Sequence, residues 1–376
     1  MKKILIVINS AKFFISHRLP LALEAQKQGF EVQIAIPPAS KEERSFLESK
    51  GLKINDINLS RAGKNIIEEL KTFTTLFLLI SRIKPDVLHL ITIKPVLYGG
   101  LISRFLRIPT LVAISGMGYL YKEEGNKFFR YLSDTFYKLV LGNKHIRVFV
   151  QNKNDKKVLK KISNIKDDLI SLLAGSGVDL KEFNFSSPDL KQITFVMPCR
   201  MLWDKGVKEF VQAAENIKSE YPSVNFLLAG SCDNSNPGSI SEDYLNGLNK
   251  ENNVKWLGEI KDMPTLYDKA SIVVVPSYYN EGLPKVLLEA AASGRGVITT
   301  DMPGCADAVD DNLTGMIIPR KDVKALSNAM LKFILDKALI SRIGESARIK
   351  AEKEFDVKNV ISKHIDTYHE LSNLRK

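Results

Sequence analysis

No apolar run in this chain approaches the roughly 20 residues that a membrane span needs, and the stretch TFTTLFLLI (72–80) is only of core length. Cysteine is scarce: Cys199, Cys232 and Cys305 share no metal or redox spacing, which points to free thiols in a reducing compartment. No G-x-G-x-x-G follows an early strand and no G-x-x-x-x-G-K-[ST] occurs; SGMGYLY (115–121) and AGSGVDL (174–180) lack the third glycine. There is no H-x-x-x-H, H-E-x-x-H or D-x-D. These absences disfavour a dinucleotide dehydrogenase, a P-loop enzyme and a metalloenzyme, and no metal or cofactor is expected. Short-period repeats and low-complexity tracts are also missing. The N-terminal MKKILIVINSAKFF has no small-residue cleavage site and reads as a first strand rather than a signal peptide.

What is present is an ordinary globular composition, 44% hydrophobic and 26% charged, over 376 residues. That length suits two domains of roughly 150–200 residues each. The charge is lopsided. Residues 1–185 carry 30 Lys and Arg against 17 Asp and Glu, whereas residues 186–376 carry 24 against 26. A basic half suggests contact with something anionic: nucleic acid, an acidic membrane surface or a phosphorylated substrate. A solvated lysine-rich surface fits the charge equally well.

Short apolar runs alternate with helix-length segments. KILIVI (3–8), VQIAIP (32–37), VLHLIT (87–92), TLVAIS (110–115) and RVFVQN (147–152) are continuous rather than alternating, as parallel strands covered on both faces should be. The rhythm restarts at ITFVMP (193–198) and continues through NFLLAG (225–230), VKWLGE (254–259), SIVVVP (271–276), GVITT (296–300) and GMIIP (315–319). Between the two series, GSGVDLKEFNFSSPDLKQ (175–192) reads as a linker. The expectation is two doubly wound α/β domains, 1–180 and 190–357, facing a central cleft, with a C-terminal helix over about 358–376. Ligands in such sheets bind beyond the carboxyl ends of the strands.

The stretch YNEGLPKVLLEAAASGRG (279–296) follows one of those ends. Pro284 fits the first turn of a helix that stops at Ser293-Gly294, and the amides near Gly282, Leu283 and Lys285 form a candidate anion site. Glu281 precedes that helix and Glu289 lies inside it, placed to accept hydrogen bonds from a diol. Dipole pairing or simple solvation accounts for either acid taken alone. CRMLWDKGVKEF (199–210) puts Arg200 and Lys205 just past another strand, where each could hold a phosphate, or alternatively pair with Asp204. Two cations in one loop and two acids in another suit a nucleotide diphosphate joined to a sugar.

EGLPKVLLEAAASG resembles the paired-glutamate motif of family 4 glycosyltransferases, retaining enzymes of GT-B fold. RMLWDKGVKEFVQAA resembles their diphosphate loop, LLAGSCD their strand-then-glycine turn and VKWLGEI the strand before the donor site. Within the family the chain is similar to bacterial enzymes that extend polyprenol-diphosphate-linked sugars for O-antigen, capsule or protein glycans. The resemblance implies that Arg200 and Lys205 bind the donor diphosphate, Glu289 the ribose and Glu281 the transferred sugar. Glu281, Arg200 and Lys205 are then the catalytic set, with Gly282, Leu283, Pro284, Leu287 and Gly230 completing the donor site. The expected donor is a UDP-sugar. The loop NSAKFFISHR lacks the glycine pair many relatives carry after the first strand, AISGMGYLY lacks their histidine, and Asp307 replaces their glutamate.

The acceptor falls to the first domain. His17 and Arg18 follow Ser16, a good N-cap, with Pro20 in the next turn. Cations there oppose the helix dipole and suggest a bound anion such as the acceptor's diphosphate. Lys94, Gly116 and Gly118 are further candidates, and His89 reads as a core histidine. The segment 125–144 sets Phe128, Phe129, Leu132, Phe136, Leu139 and Val140 along one helical face, beside Lys127, Arg130 and Lys138. It serves either the core or an anionic membrane surface. A cytoplasmic, peripheral location on the inner membrane face follows from a lipid-linked acceptor. A GT-B nucleotide-sugar epimerase and a non-catalytic sugar-nucleotide-binding subunit stay open as alternatives, whereas nucleic-acid binding has no module to support it.

Overall fold

The computed structural model describes residues 1–59, 66–117, 127–233, 236–251 and 253–375, and their side chains apart from those of 66 and 127–129. The chain divides into two compact units, Met1–Ser176 with Asn359–Lys376, and Gly177–Lys358.

The first unit is built on a seven-stranded parallel sheet: β1 (Lys3–Val7), β2 (Glu31–Ile36), β3 (Lys53–Asp56), β4 (Val87–Ile91), β5 (Thr110–Ile114), β6 (Ile146–Val150) and β7 (Ile170–Leu172). Their order in space is β3-β2-β1-β4-β5-β6-β7. The helices of this half are α1 (Ala11–His17), α2 (Leu19–Lys27), α3 (Lys41–Ser49), α4 (Ile66–Ile83), α5 (Ile93–Leu106), α6 (Lys127–Leu141) and α7 (Lys153–Ser163). The second unit carries a six-stranded parallel sheet of β8 (Thr194–Pro198), β9 (Asn225–Ala229), β10 (Lys255–Trp256), β11 (Ile272–Val275), β12 (Gly296–Thr300) and β13 (Gly315–Ile318), in the order β10-β9-β8-β11-β12-β13. Its helices are α8 (Val207–Lys218), α9 (Glu242–Glu251), α10 (Met263–Asp268), α11 (Lys285–Ala292), α12 (Pro303–Ala308), α13 (Val323–Leu335) and α14 (Lys337–Lys350); α15 (Val357–Leu374) then returns the chain to the first unit.

Successive strand residues point to opposite faces, and each face of the first sheet has its own core. Leu5, Val7, Leu88, Leu90, Val112 and Val148 pack under α4 to α7. Ile4, Ile6, Val87, Ile91, Leu111 and Phe149 pack under α1 to α3 and α15. This two-sided burial is why the central strands read as unbroken apolar runs. β3 (KIND) and β7 (ISL) carry no such run because they are short edge strands, partly open to solvent. The second sheet buries Phe195, Phe226, Ile272, Val274 and Ile298 against α8, α9, α13 and α14.

Three expectations are corrected. The stretch 175–192 is not a free linker from Gly177 onward, because it docks on the second unit. Val178 N–H donates to Phe355 O at 2.8 Å, Phe183 is buried, and Arg348 Nη1 donates to the carbonyls of Phe183 (2.9 Å) and Ala292 (2.6 Å). Ser16 is not an N-cap: Ser10 caps α1, and the Ser16 hydroxyl donates back to Lys12 O inside that helix. The apolar positions of α6 do not share one face. Val140 is buried and Phe136 leans on the core, while Leu132 and Leu139 are exposed; the side chains of Phe128 and Phe129 lie outside the described residues.

Candidate functional site

The second unit gathers the site at the carboxyl ends of β8 and β11. After β8 the chain makes a single 3-10 turn at Trp203–Lys205, and Gly206 (φ +86°) opens α8 in a left-handed conformation; a Cβ there would stand 2.3 Å from Pro276 O. Glycine is therefore required for this loop to lie against the end of β11. The contact brings Lys205 to Glu281, whose two carboxylate oxygens accept from Nζ at 2.6 and 2.8 Å. Ser277 Oγ donates to the same carboxylate at 3.3 Å, and the Tyr279 ring lies 5.4 Å from Nζ. Burial works against the Lys205 ammonium, but the charge and hydrogen bonds of Glu281 outweigh it and raise its pKa above the ordinary lysine range. The pair is fairly well shielded, with 11% of the lysine side chain and 23% of the glutamate exposed. Removing one partner of a buried pair costs about 3–5 kcal/mol, and the residual exposure here puts this pair below that range.

Pro284 is the N-cap of α11 rather than a first-turn residue, and the helix stops where Gly294 (φ +72°) follows Ser293. Gly282 is held by α12, since a Cβ on Gly304 would stand 1.6 Å from Gly282 O. Glu289 is almost wholly buried. It accepts from Tyr267 OH at 2.9 Å on Oε2 and from Lys285 Nζ at 3.2 Å on Oε1. Burial pushes this carboxyl above the usual carboxylate range, with Lys285 and Tyr267 opposing. Leu287 is a buried side chain, and Leu283 is half-buried.

Arg200, with 54% of its side chain exposed, pairs with Asp233 at 3.1 Å, whereas Lys205 pairs with Glu281. Gly230 packs against the start of the same loop. A Cβ on it would stand 1.8 Å from Cys199 O, its N–H donates to Gly258 O at 2.7 Å, and its carbonyl accepts from the Trp256 indole at 2.9 Å. Burial pushes the thiols of Cys199 and Cys305 up to about 12, so neither is a thiolate at neutral pH. Among the described residues no three His, Cys, Asp or Glu side chains are grouped to hold a metal ion.

The first-unit candidates fare differently. Arg18 is 2% exposed rather than at the surface, donates to His17 O at 3.1 Å, and has its pKa drawn down to about 10 by burial. It lines a small cavity with Ile114, Phe149, Gln151, Leu173 and His364. His17 ends α1, its ring 4.2 Å from that of Phe13 and tilted 32° to it. Lys94 pairs with Glu69 at 2.7 Å. Gly116 follows β5 with φ +112°, and Gly118 lies outside the described residues. His89 is a core residue whose Nδ1 bonds Tyr368 OH at 2.7 Å. Tyr267 and Ser277 escaped the reading of the sequence, where neither sits in a motif and both act across a fold-dependent contact.

Residues 178–350 match the family model described as glycosyl transferases group 1, and residues 3–152 that described as glycosyl transferase 4-like. The N,N'-diacetylbacillosaminyl-diphospho-undecaprenol alpha-1,3-N-acetylgalactosaminyltransferase of Campylobacter jejuni is 27% identical, over 94% of this chain and 97% of that protein. The UDP-Gal:alpha-D-GlcNAc-diphosphoundecaprenol alpha-1,3-galactosyltransferase of Escherichia coli is 23% identical over 81% and 80%. Among solved structures, a glycosyltransferase from Rickettsia africae superposes with a TM-score of 0.77 at 19% identity, covering 98% of both chains. Anabaena HepE in complex with UDP gives 0.75 at 18%, covering 98% of this chain and 100% of HepE. The shared architecture is the GT-B fold.

Proposed function

Because the chain belongs to the glycosyltransferases that these two models describe, we propose that it moves a hexose, with retention, from a UDP-sugar to a lipid-diphosphate-linked saccharide. The Lys205–Glu281 contact carries this reading. It joins a cation suited to a diphosphate and an acid suited to sugar hydroxyls within 2.8 Å, in one unit, at the ends of two adjacent strands. A donor entering there exchanges the ion pair for two separate contacts, Lys205 to phosphate and Glu281 to sugar. Glu289, held by Tyr267, takes the ribose.

As the glycosidic bond to the diphosphate breaks, negative charge grows on the leaving oxygen while the anomeric carbon becomes oxocarbenium-like. Lys205, largely shielded from solvent, and the more exposed Arg200 stabilise that charge, and the shielded contact contributes more. The acceptor hydroxyl attacks from the face the diphosphate leaves and gives its proton to the departing diphosphate oxygen there, which preserves the anomeric configuration. The diphospho-undecaprenol named for the Campylobacter and Escherichia relatives supports a lipid-linked acceptor, and such an acceptor draws the protein to the inner membrane face. Arg18, His17 and Gly116 are the first-unit groups assigned to it.

The test is a thermal-shift and transfer assay against UDP-, GDP-, ADP- and dTDP-sugars with EDTA present. One nucleotide class should stabilise the wild type, by about 2.7 kcal/mol at a hundredfold excess over Kd. The Lys205→Ala variant should lose both the shift and turnover, and turnover at the wild-type level in that variant would sink the assignment.

A further inference from the structure

The first unit buries one side of its outer helices and leaves large apolar side chains on the other. α4 sets Leu76, Leu79, Ile80 and Ile83 into the core, as an amphipathic helix should. Its solvent side nevertheless carries Ile67 (73% exposed), Leu70 (62%) and Leu78 (62%). Phe105 on α5 is 76% exposed, and Tyr131 and Leu139 on α6 are 72% and 44% exposed. These helices are neighbours in one layer. The rings of Phe77 and Phe105 lie 6.2 Å apart, joining α4 to α5, and Arg104 Nη1 donates to Leu139 O at 2.6 Å, joining α5 to α6. Apolar exposure concentrated on adjacent elements marks an interaction surface, whereas single exposed apolar residues need no explanation.

The charge on this layer identifies the occupant. Lys71, Arg82, Arg104, Arg130 and Lys138 are exposed on the same three helices, with Glu68 as the one exposed acid among their described residues. Aromatic and aliphatic side chains interleaved with cations match the headgroup and acyl boundary of an anionic bilayer, where the apolar groups dip below the phosphates that the cations meet. A protein partner burying so many cations would have to supply matching acids. Among the described residues no helix is long and apolar enough to cross a membrane, so this surface would rest on the bilayer without spanning it.

We propose that the outer face of α4, α5 and α6 docks this protein on an anionic lipid bilayer. The proposal rests on the lipid-linked acceptor read above, and it names the surface through which the protein meets that lipid. Vesicle binding needs no turnover, so the two readings can fail separately.

The experiment is co-sedimentation of the full chain with phosphatidylcholine vesicles, with and without phosphatidylglycerol, at low and high salt. Binding should require the anionic lipid and weaken with salt. It should fall at least tenfold in Leu78→Ser/Phe105→Ser and in Arg82→Glu/Lys138→Glu, all of them exposed positions that should leave the melting temperature nearly unchanged. With a short-chain soluble acceptor both variants should turn over as the wild type does, while transfer to a long-chain acceptor in vesicles falls. Wild-type protein that ignores the vesicles, or variants that bind them fully, would overturn the proposal. Concentration-dependent self-association that both variants abolish would assign the face to a second copy and overturn it as well.

Discussion

Gly304→Ala adds one methyl group at a point where the second unit has no room for it. The new Cβ would stand 1.6 Å from Gly282 O, 2.7 Å from Glu281 O and 2.7 Å from Gly282 C. These are backbone atoms, so no rotamer change relieves the clash. Moving from 1.6 Å to the 3.0 Å that real Cβ contacts respect requires a displacement of about 1.4 Å, taken up by α12 or by segment 281–282. Overpacking of this kind typically costs about 1–3 kcal/mol of stability. The functional cost is larger, because the displaced segment carries Glu281, and an error of about 1 Å in a reacting constellation can cost about a hundredfold in rate. The assay is the initial rate of sugar transfer at saturating donor, with urea unfolding of the same preparations. Gly247→Ala is the control: it lies in α9 with nothing within 4 Å of the added Cβ, and should stabilise by about 0.5–1 kcal/mol with the rate unchanged. A Gly304→Ala enzyme with wild-type rate would show that the 281–282 segment is not geometrically critical, and the assignment of Glu281 would fall with it.

Two further perturbations probe buried hydrogen bonds. Tyr267→Phe removes the 2.9 Å bond to Glu289; hydrogen bonds to charged groups contribute about 1.5–3 kcal/mol, so donor KM should rise about tenfold or more with kcat little changed. The defect should deepen toward acid pH, because burial already raises the Glu289 carboxyl and the variant raises it further; a pH-independent KM would argue against this role. In the first unit, burial holds His89 well below 6.5 and His364 down to about 3, with the nearby Arg18 acting in the same direction on both. A depressed histidine pKa favours folding above the unfolded value of 6.5 and loses that contribution as pH falls below it. Each histidine should cost up to about 1.4 kcal/mol per pH unit there. Denaturation between pH 8 and 5 should show this loss before the carboxylates titrate, and His364→Gln should reduce it; a flat profile would refute it.

Much of the architecture was legible because parallel strands buried on both faces leave unbroken apolar runs, as VLHLI and SIVVV do. Edge strands escaped for the converse reason: KIND has only one apolar residue to bury. Arg200, Lys205 and Glu281 stood out as candidates because each lies in a segment that follows a strand, where the fold opens its ligand sites, whereas Glu289 lies inside α11. Their partners could not. Asp204, next to Lys205 in sequence, reads as its natural counter-ion, yet the lysine reaches 76 residues along the chain to Glu281. Ser16 has a capping side chain, but Ser10 started the helix six residues sooner and left Ser16 inside it. Local chemistry nominates candidates, and tertiary packing chooses among them.

The return of α15 to the first unit also sets an order of assembly. Ile365, Tyr368 and Leu371 complete the core beneath β1 and β4, and Lys2 Nζ reaches Ser372 Oγ at 3.0 Å and Asn373 Oδ1 at 2.6 Å. All of Gly177–Lys358 is translated before that helix exists. At about 5–20 residues per second, the nascent first unit waits roughly 10–40 s with one face of its sheet partly uncovered. During that interval the second unit, whose sequence is continuous, can close first. The half of the protein made earliest is therefore the last to finish folding, and in that window it most needs shelter from aggregation.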